Sequence, residues 1–243
     1  MASQTDEIET LKTIADNYRR DWLEQRYLHK CKHATPHDAW SIFTLVTTNS
    51  RAVLEPESKK VKNFIAKCVK YNTYDLEAVG HSKVERMLLE CFWGLDELFF
   101  FGLFTRKIHD PVTNYPSHLV SLTCIKSPAK ESNGLFMWGR FKAEGNITIW
   151  PSCARGFRSF TFLLSTLIHE MIHAWFGIFS DNSHPYHGEW VAKNGKHGEL
   201  FEGMLRFCLQ YLIDKSPPDS CFARDMYARL QLQEFSTDDD DLL

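Results

Sequence analysis

A chain of 243 residues, 44% of them hydrophobic, can bury one sizeable core and carry an appended helical element, but not two full domains. Its formal charge of −3 and pI near 6.4 exclude a globally basic nucleic-acid binder, so any DNA contact must come from a local patch. Seven cysteines at scattered spacings, Cys31, Cys68, Cys91, Cys124, Cys153, Cys208 and Cys221, contain no Cys-x-x-Cys pair, which excludes a zinc ribbon and predicts reduced thiols.

The segment Met1-Ala2-Ser3-Gln4-Thr5-Asp6-Glu7 has no apolar signal core, and no run is read as approaching transmembrane length. A soluble protein inside the cell, nuclear or cytoplasmic, with no membrane partner, is therefore expected. Residues 5 to 30 read as a helix with Leu11, Ile14, Tyr18, Trp22 and Tyr27 on one face. The turn-like His29-Lys30-Cys31-Lys32-His33-Ala34-Thr35-Pro36-His37 invites a second metal site, but lacks the ligand spacing of a structural zinc. From Pro56 to about Lys70 a helix is predicted with Lys59, Lys60, Lys62, Lys67 and Lys70 on one side and Val61, Phe64, Ile65, Cys68 and Val69 on the other. This lysine face is either the local phosphate-facing surface or an ordinary solvated face.

Val84, Leu88, Cys91, Phe92, Leu95, Leu98 and Phe99 mark a strong helix expected beneath the chemistry-bearing one. The period then changes. Segments 118 to 126, 135 to 143 and 146 to 150 read as a small antiparallel sheet, with Ser132-Asn133-Gly134 and Glu144-Gly145-Asn146 as turns. Pro151 ends the last strand, Trp150 is expected in the core, and Ser159 is the N-cap candidate for the next helix.

That helix carries Thr166-Leu167-Ile168-His169-Glu170-Met171-Ile172-His173-Ala174-Trp175. At about 100° per residue, Thr166, His169, Glu170 and His173 share one arc, while apolar residues cover most of the rest. Burying two imidazoles and a carboxylate in such a helix is costly unless something compensates, and a divalent metal does so. Histidines four apart put two imidazoles on one side, with Glu170 placed as a general base. A third ligand must come from downstream, where His184, His187 and His197 are available. His197 directly precedes the amphipathic run Leu200, Phe201, Met204, Leu205, Cys208 and Leu209, a rigid place for a ligand. Beyond it, Ala223 to Glu234 reads as a short helix and Asp238-Asp239-Asp240-Asp241-Leu242-Leu243 as a disordered acidic end.

These residues resemble the SprT-like (Spartan-type) zinc metalloproteases. The family pairs a Thr-Leu-x-His-Glu-Met-x-His-Ala helix with a Gly-His-Gly-x-x-Phe segment, and Thr166 to Ala174 and Lys196-His197-Gly198-Glu199-Leu200-Phe201 look like these two, with lysine for the first glycine. Leu95 to Gly102 and Asn146 to Pro151 look like further family segments, so the resemblance covers about residues 82 to 212. The linker after His173 is longer than in Spartan, whose spacing would select His187; Phe201 and the following helical pattern select His197.

The resemblance implies an α+β fold, a mainly helical zincin-like domain with a small antiparallel sheet packed on the active-site helix. The expected organisation is an N-terminal helical extension over 1–80, a SprT-like metalloprotease domain over 81–215, and a C-terminal segment over 216–243. It also implies Zn²⁺ held by His169, His173 and His197, with Glu170 as the catalytic base. Protein substrates are expected, DNA-associated or DNA-crosslinked ones included, with 146 to 150 as an edge strand that binds extended substrate. Two other readings fit the residues: a non-catalytic zinc-stabilised module that binds a protein partner, and a peptidase of this type with no DNA role.

Overall fold

The computed structural model describes residues 4–26, 35–109, 115–126, 139–142, 145–153, 156–193 and 196–235. The first element, α1 (Gln4–Arg26), lies where a helix is expected over 5 to 30, of which 27–30 fall outside the described residues, and it buries Leu11 and Ala15 completely. Of the histidine-rich stretch that follows, His29, Cys31 and His33 lie outside the described residues. Next come α2 (Ala39–Asn49) and α3 (Arg51–Leu54). Asp38 starts α2 by accepting a hydrogen bond from the Ser41 N–H at 2.7 Å.

Helix α4 (Lys59–Tyr71) begins at Ser58, whose hydroxyl accepts from the Val61 N–H. It buries Val61, Phe64, Ile65 and Cys68 and turns its five lysines to solvent, as its wheel predicts. The short α5 (Leu76–Val79) is separated from α6 (His81–Phe99) by Gly80 at φ 75°, a left-handed conformation that favours glycine. The turn leaving α6 is built on Asp96. Its fully buried carboxylate accepts hydrogen bonds from the Phe104 N–H at 3.1 Å and from the Thr105 N–H and hydroxyl at 2.8 and 2.7 Å. These bonds satisfy backbone groups that would otherwise be buried unpaired.

Three strand arrangements follow. β1 (Lys107–His109) pairs antiparallel with β2 (Pro116–His118). β3 (Ser121–Cys124), β4 (Gly139–Lys142) and β5 (Asn146–Ile149) form a sheet in the order β3-β5-β4. β6 (Ser152–Cys153) and β7 (Gly156–Phe157) pair antiparallel.

The three-stranded sheet corrects two expectations. It is mixed: β5 runs antiparallel to β4, with Gly139 opposite Ile149, but parallel to β3, with Ser121 opposite Asn146. Strand β5 is therefore central, so residues 146–149 are not an edge available for strand addition. Gly145, at φ 78°, directly precedes β5, which pairs antiparallel with β4. β3 lies on the other side of β5 from β4. Burial of the consecutive residues Ile147, Thr148 and Ile149 fits a strand covered on both faces. The edges are β3, which packs on α6, and β4, which lies along the next helix, α7 (Phe160–Phe179). Trp150 is half-buried at the end of β5.

After α7 come α8 (His187–Val191), the pair β8 (Ala192–Lys193) and β9 (Lys196–His197), then α9 (Glu199–Lys215) and α10 (Cys221–Phe235). The architecture is mostly helical with a small sheet, an α+β arrangement. One buried cluster runs from Leu11 in α1 to Leu230 in α10. Helix α7 is its axis, touching α1, α2, α6, α9, α10, β4 and β5. Beneath it, Phe100 and Phe104 from the turn after α6 pack on Trp175, with ring centres 5.4 and 6.2 Å away.

The length and apolar composition of α7 overturn the expectation that no run approaches transmembrane length. Among the described residues, α7 is long and apolar enough by length and composition, yet 72% of that window is buried inside the protein. Its apolar surface faces other elements of the same chain.

Candidate metal centre

Helix α7 starts where Ser159 accepts a hydrogen bond from the Phe162 N–H at 3.2 Å. From that start, the helical period brings His169 and His173 to one side, one turn apart. Both rings are half-buried, and Glu170 beside them is 5% exposed. The third imidazole arrives from β9. His173 Nε2 lies 3.2 Å from His169 Nε2 and 3.1 Å from His197 Nε2. All three ligand atoms lie within 4.8 Å of one another.

This donor set fits a metal ion. A tetrahedral ion with bonds of about 2.0–2.1 Å to nitrogen separates its ligands by about 3.3–3.4 Å, close to the two short edges of the triad. The protonation states agree. Burial, reinforced by the neighbouring imidazoles, holds His169 well below its ordinary value; burial and His197 push His173 down to about 3. Neutral imidazoles are the form that donates a lone pair to a metal.

Local structure fixes His197 from two directions. Ala192 pairs with His197 across the antiparallel β8 and β9 strands, and the Gly198 N–H donates to the Val191 carbonyl at 2.9 Å. Phe201, completely buried one turn into α9, stacks on the His197 ring with centres 3.9 Å apart and planes 9° apart. The same phenyl ring lies 4.5 Å from His173 and 5.0 Å from His169, so one side chain walls all three imidazoles. From the sequence, Phe201 enters only as a marker of the downstream segment; its place against all three rings comes from the structure. A histidine followed at the fourth position by an aromatic, at a helix start, is the signal for it.

Gly198 is required for space. A Cβ there would sit 2.3 Å from the Trp190 carbonyl oxygen and 2.5 Å from that of Glu189, both backbone atoms that cannot swing away. Gly198→Ala should therefore displace His197 and weaken metal affinity by roughly ten- to a hundredfold, the scale of lost ligand positioning. Competition titration against a chromogenic chelator measures it, and unchanged affinity would show that the junction can relax.

The rival third ligands are engaged elsewhere. His187 Nε2 lies 2.8 Å from the hydroxyl of buried Ser180, and burial lowers its pKa. His184 stacks on Trp190, ring centres 5.0 Å apart and planes within 20°. Neither joins the cluster, and both are half-buried rather than turned to solvent.

These shifts carry a pH dependence for the metal-free protein. An imidazole whose pKa is lower in the folded than in the unfolded chain makes the unfolded state take up protons first. Stability is then lost as the pH falls below 6.5, progressively toward the value of about 3 at His173. Between about pH 7 and about pH 5 the urea midpoint should fall further in this protein than in a His169→Leu/His173→Leu variant, since the buried Asp96 carboxyl, raised to about 7, opposes the fall equally in both. Equal drops in both proteins would assign the acid sensitivity to His37 and His187, which burial also lowers.

Comparison of the chain with protein-family models, with curated proteins and with solved structures finds no match.

Proposed function

We propose that this protein is a zinc-dependent metalloendopeptidase of the SprT-like type that cleaves protein substrates. The observation that carries the reading is the meeting of His197 with the two α7 histidines beside a buried Glu170. A purely structural site has no need of a carboxylate next to three ligands, because structural zinc closes its shell with a fourth protein ligand.

Zinc held by the three histidines would supply Lewis-acid activation of water and of the scissile carbonyl. The chain's own groups do the rest. Glu170 accepts the proton of the attacking water and delivers it to the leaving amine. Phe201, against all three rings, helps hold the imidazoles in place. With β5 central, an extended substrate would add to the edge strand β4, which lies along α7. The test is hydrolysis of an unfolded protein by the zinc-loaded chain, abolished by a chelator and restored by zinc. Inertness toward all protein substrates with zinc bound would instead favour a zinc-stabilised binding module.

DNA-associated substrates belong to the same proposal, with α4 as the contact. The five lysines are exposed, but Lys60, Lys62 and Lys67 pair with Glu97, Glu57 and Glu90 at 3.1, 3.2 and 2.8 Å. Exposed pairs of this kind are weak enough for a phosphate to compete. Changing Lys59, Lys62 and Lys70 to glutamine should flatten the log K against log salt plot for single-stranded DNA by about 2 units. An unchanged slope would leave a peptidase without DNA contact at α4.

A further inference from the structure

Beside the third histidine lies a cleft of about 360 Å³ lined by Tyr186, Glu189, Trp190 and Glu199, within the size range of clefts that hold a ligand group. Its walls are of two kinds. Trp190 presents an indole held in a stack, with His184 at 5.0 Å on a nearly parallel plane and Tyr186 at 5.6 Å. Tyr186 is 56% exposed, a large ring left at the surface. Two exposed carboxylates complete the lining, and Glu199 has no ion-pair partner among the described residues. Aromatic faces and carboxylates favour one chemical class, a cation with an extended or planar apolar body.

We propose that this cleft is a subsite for an arginine or lysine side chain of the protein substrate, with Glu189 and Glu199 as its charged walls and Tyr186 and Trp190 as its aromatic ones. The proposal rests on the peptidase reading of the neighbouring centre and adds its specificity. Position supports it. Glu199 is two residues from His197, and Gly198 between them abuts the Trp190 carbonyl, so the cleft and the third ligand share a backbone junction. Glu199 stands in the first turn of α9, where the helix dipole favours a negative charge. A cation entering the cleft meets both carboxylates while its apolar stem covers the rings.

The experiment uses the zinc-loaded full chain and internally quenched peptides in which one arginine walks along an otherwise uncharged sequence. A parallel set carries citrulline, which keeps the shape and loses the charge. At the preferred position arginine should exceed citrulline by roughly tenfold or more in kcat/KM, the scale of one well-placed charge pair. The same preference should appear in the affinity of zinc-loaded Glu170→Gln protein for these peptides, read by fluorescence anisotropy. In the Glu189→Gln/Glu199→Gln variant the ratio should collapse toward one, with bound zinc confirming an intact fold. Both replacements are exposed and isosteric.

Equal treatment of arginine and citrulline would overturn the subsite, as would a preference that survives the double variant. The two readings fail separately. Cleavage without charge preference leaves the peptidase and removes the subsite, whereas charge-selective binding without any cleavage keeps the subsite and removes the peptidase.

Discussion

Replacing Glu170 with glutamine is expected to leave metal and fold in place while lowering peptide hydrolysis by roughly 10²–10⁴-fold, the range that general acid–base groups contribute. The substitution is close to isosteric, which matters because the residue is 5% exposed and packed within α7. What glutamine cannot do is accept a proton from water and return it to the amine. The candidate donor group consists of the three imidazoles, so zinc content should stay near one per chain. The comparison is kcat/KM for one quenched peptide alongside elemental analysis of both proteins. Equal cleavage by the two would place the activity in a contaminant or another site. Loss of zinc in the variant would make Glu170 part of the scaffold rather than the chemistry.

The second large effect concerns the third ligand. His197→Ala should cut zinc affinity by about two to three orders of magnitude, since each protein ligand supplies a substantial share of the roughly 10–16 kcal/mol of a closed four-ligand zinc site. His187→Ala should keep its zinc. It removes the contact with Ser180, a loss of about 1 kcal/mol in unfolding free energy. The paired measurement discriminates because both histidines precede a glycine and lie in the same connection. The reverse pattern, with zinc kept in His197→Ala and lost in His187→Ala, would transfer the role.

The features legible in the sequence are those set by local periodicity. The α7 pattern with its Ser159 cap, the apolar stripe of α6, and the lysine and core faces of α4 depend only on residues within a few turns of one another. Helix α2 was not legible for the opposite reason. Its Ala39-Trp40-Ser41-Ile42-Phe43-Thr44-Leu45-Val46-Thr47-Thr48-Asn49 is rich in β-branched residues, and burial of Ile42, Leu45 and Val46 overrides their local preference. Strand order failed similarly, because the pairing of β3 with β5 is made by segments far apart in the chain. Spacing alone left three candidates for the third histidine. The aromatic at Phe201 is the discriminating sign, and its physical meaning is the stack of its ring on His197.

The Phe201 stack also ties two quantities together by thermodynamic linkage. His197 rides at the start of α9, and Phe201 one turn later forms the wall of the centre, so the seating of α9 against α7 and the arrangement of the imidazoles are one equilibrium. A metal ion that prefers the seated arrangement stabilises helix packing by its differential affinity, and packing returns the same factor to the metal. Residues far from any ligand atom, such as Met204 and Leu209 on the buried face of α9, would therefore share in setting how tightly an ion bound by the three histidines is held.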